Sequence, residues 1–177
     1  MHTPRSSTIP GLAPPPPPPS RAAALHRHLL LDFVHHGPSW DRAARHEWLR
    51  HVLAPALTSA SVGRQAAFGD ETWTTALSTL RSRLDELVAH RDGFVHAAVY
   101  KGLVVREAGD WSVDASKVLD LPTALSSLLA RDVLRRRATY DDELTFCPAC
   151  RRYRFVHWEQ RPARPCGCRR RSWAQAR

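Results

Sequence analysis

Apolar residues recur three and four positions apart over four stretches of the chain, each bracketed by residues that start or stop helices. Ser20 is placed to cap a helix over about Arg21 to His36, with Leu25, Leu29, Leu30, Phe33 and Val34 facing inward and Gly37-Pro38 ending it. Ser39 is placed to cap a second, whose Trp40, Ala43, Ala44, Trp48, Leu49, Val52 and Leu53 keep helical spacing until Pro55. Asp70 opens a third, with Trp73, Ala76, Leu77, Leu80, Leu84, Leu87 and Val88 in one stripe and Gly93 as its expected close. Phe94 to Tyr100 and Leu103 to Arg106 are rich in β-branched and aromatic residues, and Gly109-Asp110 precedes the short run Trp111 to Val113. That pattern predicts a small hairpin or meander. Asp120 or Thr123 can cap a fourth helix carrying Leu125, Leu128, Leu129, Val133 and Leu134, which ends in Arg135-Arg136-Arg137. The triplet reads as a solvated end that suits the helix macrodipole.

The flanks differ from this body. Residues 1–20 hold eight of the 14 prolines, six of them consecutive from Pro14 to Pro19, which predicts an extended, unpacked tail. At 177 residues the chain suffices for one compact domain with appendages. No run approaches the ~20 apolar residues of a bilayer span, and the N-terminus lacks a secretory h-region. A membrane partner and export are therefore not expected. The domain organisation expected is a proline-rich tail at 1–20, a helical body with a small β element at 21–139, and a distinct module at 140–177.

Charge and cysteine concentrate in that last module. The formal charge is +9, and residues 147–177 carry +8 of it, with nine arginines against Glu159 alone. Cys147, Cys150, Cys166 and Cys168 are the only cysteines. Cys147-Pro148-Ala149-Cys150 can offer two thiolates from one turn, and the fifteen residues that follow are enough for a hairpin that returns Cys166-Gly167-Cys168 to the same centre. Gly167 permits the tighter second turn. Four thiolates select one structural zinc ion, with no open position for Lewis-acid chemistry. His157 in place of one sulfur, an iron–sulfur cluster, and a thiol redox pair are the other readings of the same residues. Tyr153 to Trp158 alternates as a strand would, so a zinc-ribbon-like module is expected. Chelation should unfold it and leave the helical body largely intact.

Arg151, Arg152, Arg154, Arg161, Arg164, Arg169, Arg170 and Arg171 are interleaved with Tyr153, Phe155, Trp158 and Trp173. Guanidinium groups hold phosphates bidentately, and aromatic faces stack on bases. Nucleic acid is the expected partner, DNA ahead of RNA, with Arg151 to Trp158 or the tail making base contacts. A protein partner or a homodimer through the helical body is a further expectation. None of the ten histidines forms a helical ligand pair, and there is no phosphate loop or zinc-protease motif. Asp141-Asp142-Glu143 reads as a solvated loop or a counter-charge to the arginine tail. Trp40, Trp48 and Trp73 read as core. No general base or nucleophile stands out, so no enzyme is expected.

Leu29-Leu30-Leu31-Asp32-Phe33-Val34 resembles the Leu-x-Leu-Asp-Phe-Val-Asn box that opens the bacterial ABATE domain. Leu121 to Arg137 resembles that family's approach to its finger, and Cys166-Gly167-Cys168-Arg169 resembles its CGNR zinc-finger signature. His35 stands where the first box has asparagine, and Cys168 where the signature has it. The family's cysteine upstream of that signature is missing, so Cys168 would supply the fourth ligand. The resemblance implies a stress-induced transcription regulator with a helical domain and a C-terminal zinc finger. The fold expected is thus mainly α with a small β-hairpin or meander, plus a C-terminal zinc-ribbon-like module. The function expected is zinc-scaffolded binding of nucleic acid in transcription. A non-enzymatic zinc-ribbon adaptor that assembles a protein complex is the alternative. Location would be cytoplasmic and nucleoid-associated, or nuclear for a protein of a eukaryotic virus.

Overall fold

The computed structural model describes residues 21–53 and 70–156, with side chains described from Leu29 onward except at positions 51 and 52. It is mainly helical, with two small antiparallel hairpins. Helix α1 (Arg21–His36) runs into a 3-10 turn at Gly37–Ser39, and α2 (Arg42–Trp48) continues as a π turn over Leu49–Leu53. Helix α3 covers Asp70–Val88 and α4 Gly93–Tyr100. Strands β1 (Val104–Glu107) and β2 (Asp110–Val113) form the first hairpin, and α5 (Leu121–Arg135) follows. A short α6 (Arg137–Glu143) leads into the second hairpin, β3 (Leu144–Cys147) and β4 (Arg152–Phe155). Among the described residues no helix is long and apolar enough to cross a membrane.

Helix α5 is the centre of the fold. It packs on α1, α3 and α4 and against β2. Leu121, Ala124, Leu125, Leu128, Leu129, Ala130 and Val133 are all buried, as are the polar Ser127, Arg131 and Asp132. A helix enclosed on that many sides has few positions left for charge, which is why its ionic residues gather at the C-terminal turn. Asp120 caps it, its carboxylate accepting the Thr123 N–H at 2.7 Å, and Pro122 sits in the first turn where its missing N–H costs nothing.

At the other end of the core the aromatic residues cluster. Phe33, fully buried, lies 4.8 Å from Trp48 and 4.9 Å from Trp73 between ring centroids, with half-buried Trp40 at 6.3 Å. The Trp73 indole donates to the Gly37 carbonyl at 3.1 Å, so the close of α1 is tied to the first turn of α3. Arg45 covers the Trp73 ring, donates to the Trp40 carbonyl at 3.0 Å and pairs with Asp70.

Four local expectations are corrected. Ser39 does not cap α2: its hydroxyl donates back to His36, and the carboxylate of Asp41 accepts the Ala44 N–H at 2.8 Å instead. Gly93 does not close α3. The chain turns at His90 (φ 54°), where Arg91 N–H reaches the Glu86 carbonyl at 2.8 Å and His90 N–H the Leu87 carbonyl at 2.9 Å. That bond pair is the usual left-handed helix stop, made here without glycine.

Phe94 to Tyr100 is a helix, not a strand. Phe94, Val95 and Ala98 are buried while His96 and Ala97 are exposed, a helical rather than an alternating pattern, and the apolar face is spent on α5. Packing outweighs β-propensity there. The arginine triplet is exposed at Arg135 and Arg137, as a solvated end would be, and it is also paired with carboxylates. Arg135 pairs with Asp110 of β2 at 2.8 Å, Arg136 lies 3.9 Å from Asp132, and Arg137 pairs with Asp92 and, at 2.8 Å, with Asp141. Asp141 to Glu143 lie on α6 rather than in a loop.

Candidate metal and nucleic-acid site

The β3–β4 hairpin brings Cys147 and Cys150 into one turn. The register pairs Cys147 with Arg152, so four residues, Pro148 to Arg151, reverse the chain. Cys147 is 5% exposed, and Cys150 is half-buried. Inside the turn the backbone N–H of Cys150 points at the Cys147 sulfur. That contact, with the Ala149 N–H, the Cys150 thiol and the Arg154 charge adding to it, holds the Cys147 pKa below the ordinary thiol value against the opposing effect of burial. Amide donors aimed at sulfur stabilise a thiolate, the form that ligates metal. Arg151 makes the closing bend in the left-handed region (φ 54°), a conformation that glycine adopts more cheaply.

These two sulfurs are half of the four-thiolate set expected from the sequence. Cys166 and Cys168, and the alternative ligand His157, lie outside the described residues. Among the described residues no group of three or more histidine, cysteine or acidic side chains could hold a metal ion.

Tyr153 anchors the hairpin to the helices. The side chain is buried, and its hydroxyl donates to Asp85 Oδ1 of α3 at 2.6 Å, with the Arg81 carbonyl at 3.3 Å. Burial, then the bond to Asp85, raises its pKa well above the ordinary phenol value. Its backbone N–H donates to His35 Nε2 of α1 at 3.1 Å. Phe146 packs 5.0 Å from the Tyr153 ring, and Phe155 meets Tyr140 of α6 edge-on at 5.0 Å. Tyr153 therefore belongs to the core cluster, along with Tyr140 and Leu144. This overturns the expectation that Tyr153 offers a face to bases. The alternation along β4 explains it, because tyrosine at 153 takes the inward position and Arg152 and Arg154 take the outward ones.

Arg151, Arg152 and Arg154 are all exposed on this hairpin. The charges of Arg152 and Arg154 are felt by His35. Burial, followed by the charges of Arg152, His36, Arg154 and Arg81, depresses its pKa below the usual imidazole value. A neutral ring is what the Tyr153 N–H requires, since Nε2 must present a lone pair. Trp158, Arg161, Arg164, Arg169, Arg170 and Arg171 lie outside the described residues, as do Trp173 and the proline tract.

No family model, curated protein or solved structure matches the chain. His35 is the residue that sequence reasoning missed. It entered only as a departure from a motif, and adjacent histidines carry no ligand spacing. A signal was present nonetheless: beside Phe33 and Val34, position 35 lies at the margin of the α1 apolar face, where a polar ring reaches whatever packs there.

Proposed function

We propose that this chain is a nucleic-acid-binding regulatory protein, with DNA the favoured polymer and transcription the favoured setting. One structural zinc ion would be held by Cys147, Cys150, Cys166 and Cys168, and arginines of the same module would engage phosphates. The observation that carries this reading is the turn at Cys147 to Arg151: two thiols share it, backbone donors aim at one of them, and three exposed arginines flank it. Soft thiolates without a described carboxylate neighbour favour zinc over harder ions. With four protein ligands the ion is closed to water, and its role is to hold the segment in shape. The resemblance of residues 29–34 and 166–169 to the ABATE/CGNR regulators supports the transcriptional part.

Salt separates this reading from an adaptor. Zinc-loaded full-length protein is titrated against duplex DNA, single-stranded DNA and RNA over a salt series. Affinity should fall with a log–log slope of about −0.9 per neutralised phosphate on duplex and about −0.7 on single strands. Replacing Arg151, Arg152 and Arg154 by alanine should make that slope shallower, and chelation should weaken binding. Indifference to all three polymers at low salt sinks the reading and leaves a protein-assembling role.

A further inference from the structure

A groove of about 480 Å³ lies between α1 and β4, beside the cysteine turn. Leu29, Leu31 and Phe155 give it apolar lining, while Arg152 and Arg154 line it with guanidinium groups and His36 with an imidazole. On the assumption that the chain binds nucleic acid, as proposed above, we propose that this groove takes one unpaired nucleotide of the polymer, its base against the apolar residues and its phosphate toward Arg152 and Arg154. The nucleic-acid interface would then extend from the cysteine module onto the first helix of the body.

Three observations carry this. The volume falls in the range of small-molecule sites, so it fits a single nucleotide, whereas a duplex keeps its bases stacked away from any such cleft. The lining joins the two chemistries an unpaired nucleotide needs, a surface for the base and cations for the phosphate. Positive charge gathers here, since Arg152 and Arg154 line the groove and, with Arg81 of α3, act on His35 beside it. Against them stands Asp32, which is already engaged: its Oδ1 lies 2.6 Å from His36 Nδ1. With Nδ1 engaged by that carboxylate, Nε2 is the ring nitrogen left to meet the nucleotide's base edge.

The test uses the full-length, zinc-loaded protein and a fluorescein-labelled poly(dT) oligonucleotide read by anisotropy, with duplex DNA in parallel. His36 is exposed, so His36→Glu should fold normally, which a thermal melt checks. Ala97→Glu on α4, a helix that packs on α5 and β1, serves as the control for added negative charge. Loss of one base contact should weaken poly(dT) binding by about fivefold or more in His36→Glu. Ala97→Glu should stay within about twofold, and the effect on duplex should be smaller than on the single strand. If His36→Glu matches the parent on poly(dT), or weakens both polymers equally, the groove is not the site, although the function stands. If the parent binds no polymer at low salt, both the groove and the function fail.

Discussion

The buried bond between Tyr140 and Asp132 sets up a quantitative test of how the cysteine hairpin is held. Tyr140 on α6 and Asp132 on α5 are each 2% exposed, and the phenol donates to Asp132 Oδ2 at 2.7 Å. Tyr140→Phe removes the donor and keeps the ring, so the edge-on contact with Phe155 at 5.0 Å survives. A hydrogen bond to a charged acceptor contributes roughly 1.5–3 kcal/mol net. Arg136 remains 3.9 Å from the other carboxylate oxygen and partly compensates the charge, which places the expected loss near ~2 kcal/mol. For a chain of this size that is about 4–8 °C in Tm. Far-UV circular dichroism melts and urea titrations of the zinc-loaded protein at neutral pH measure it. The same substitution in an Asp132→Asn background should cost less, because the acceptor there is uncharged. A drop of less than about 1 °C, or an equal cost in both backgrounds, would refute the assignment of a charge-assisted bond at this position.

Three further outcomes are expected. His35 has a folded-state pKa below its unfolded value near 6.5, so the unfolded chain binds more protons in that window; stability is therefore full above about pH 6.5 and falls as pH drops toward the depressed pKa. His35→Gln, which keeps an acceptor for the Tyr153 N–H but does not titrate, should flatten the pH dependence of the urea midpoint between neutral and mildly acid buffer, and an unchanged profile would count against the pairing. Phe33→Ala should cost about 3–5 kcal/mol, because the ring is enclosed by three tryptophans. The urea midpoint followed by tryptophan emission checks it. Arg151→Gly should relieve the left-handed bend by about 1 kcal/mol and tighten cobalt or zinc binding by about fivefold in a competition titration; weaker binding would show that the arginine side chain, not the bend, matters most there.

The long stripes of α1, α3 and α5 were legible because their burial follows helical spacing in one unbroken run. The hairpin at 104–113 was legible from its glycine-marked turn, and the pairing of Cys147 with Cys150 from sequence proximity. Helix α4 was hidden, since Phe94, Val95, Val99 and Tyr100 favour strands locally and only the apolar surface of α5 decides otherwise. The ion pairs of Arg135 and Arg137 were hidden for a related reason. Asp110 and Asp92 lie 25 and 45 positions away, and nothing local to the triplet announces them. Tyr153 was misjudged because the density of arginine around it suggested a wet surface. A period of two, applied to those few residues, separates the buried tyrosine from its exposed neighbours.

The His35–Tyr153 bond also occupies the outer margin of the second hairpin. Among the described residues strand β4 pairs with β3 alone, and a strand margin of that kind ordinarily leaves amides ready to recruit a foreign strand. In β4 the outward N–H of Tyr153 is already occupied by an imidazole from α1. The ring plugs the sheet margin at the centre of the strand, and the neighbouring arginines add mutual repulsion between approaching copies. One histidine thereby removes that amide from the set a further strand could pair with.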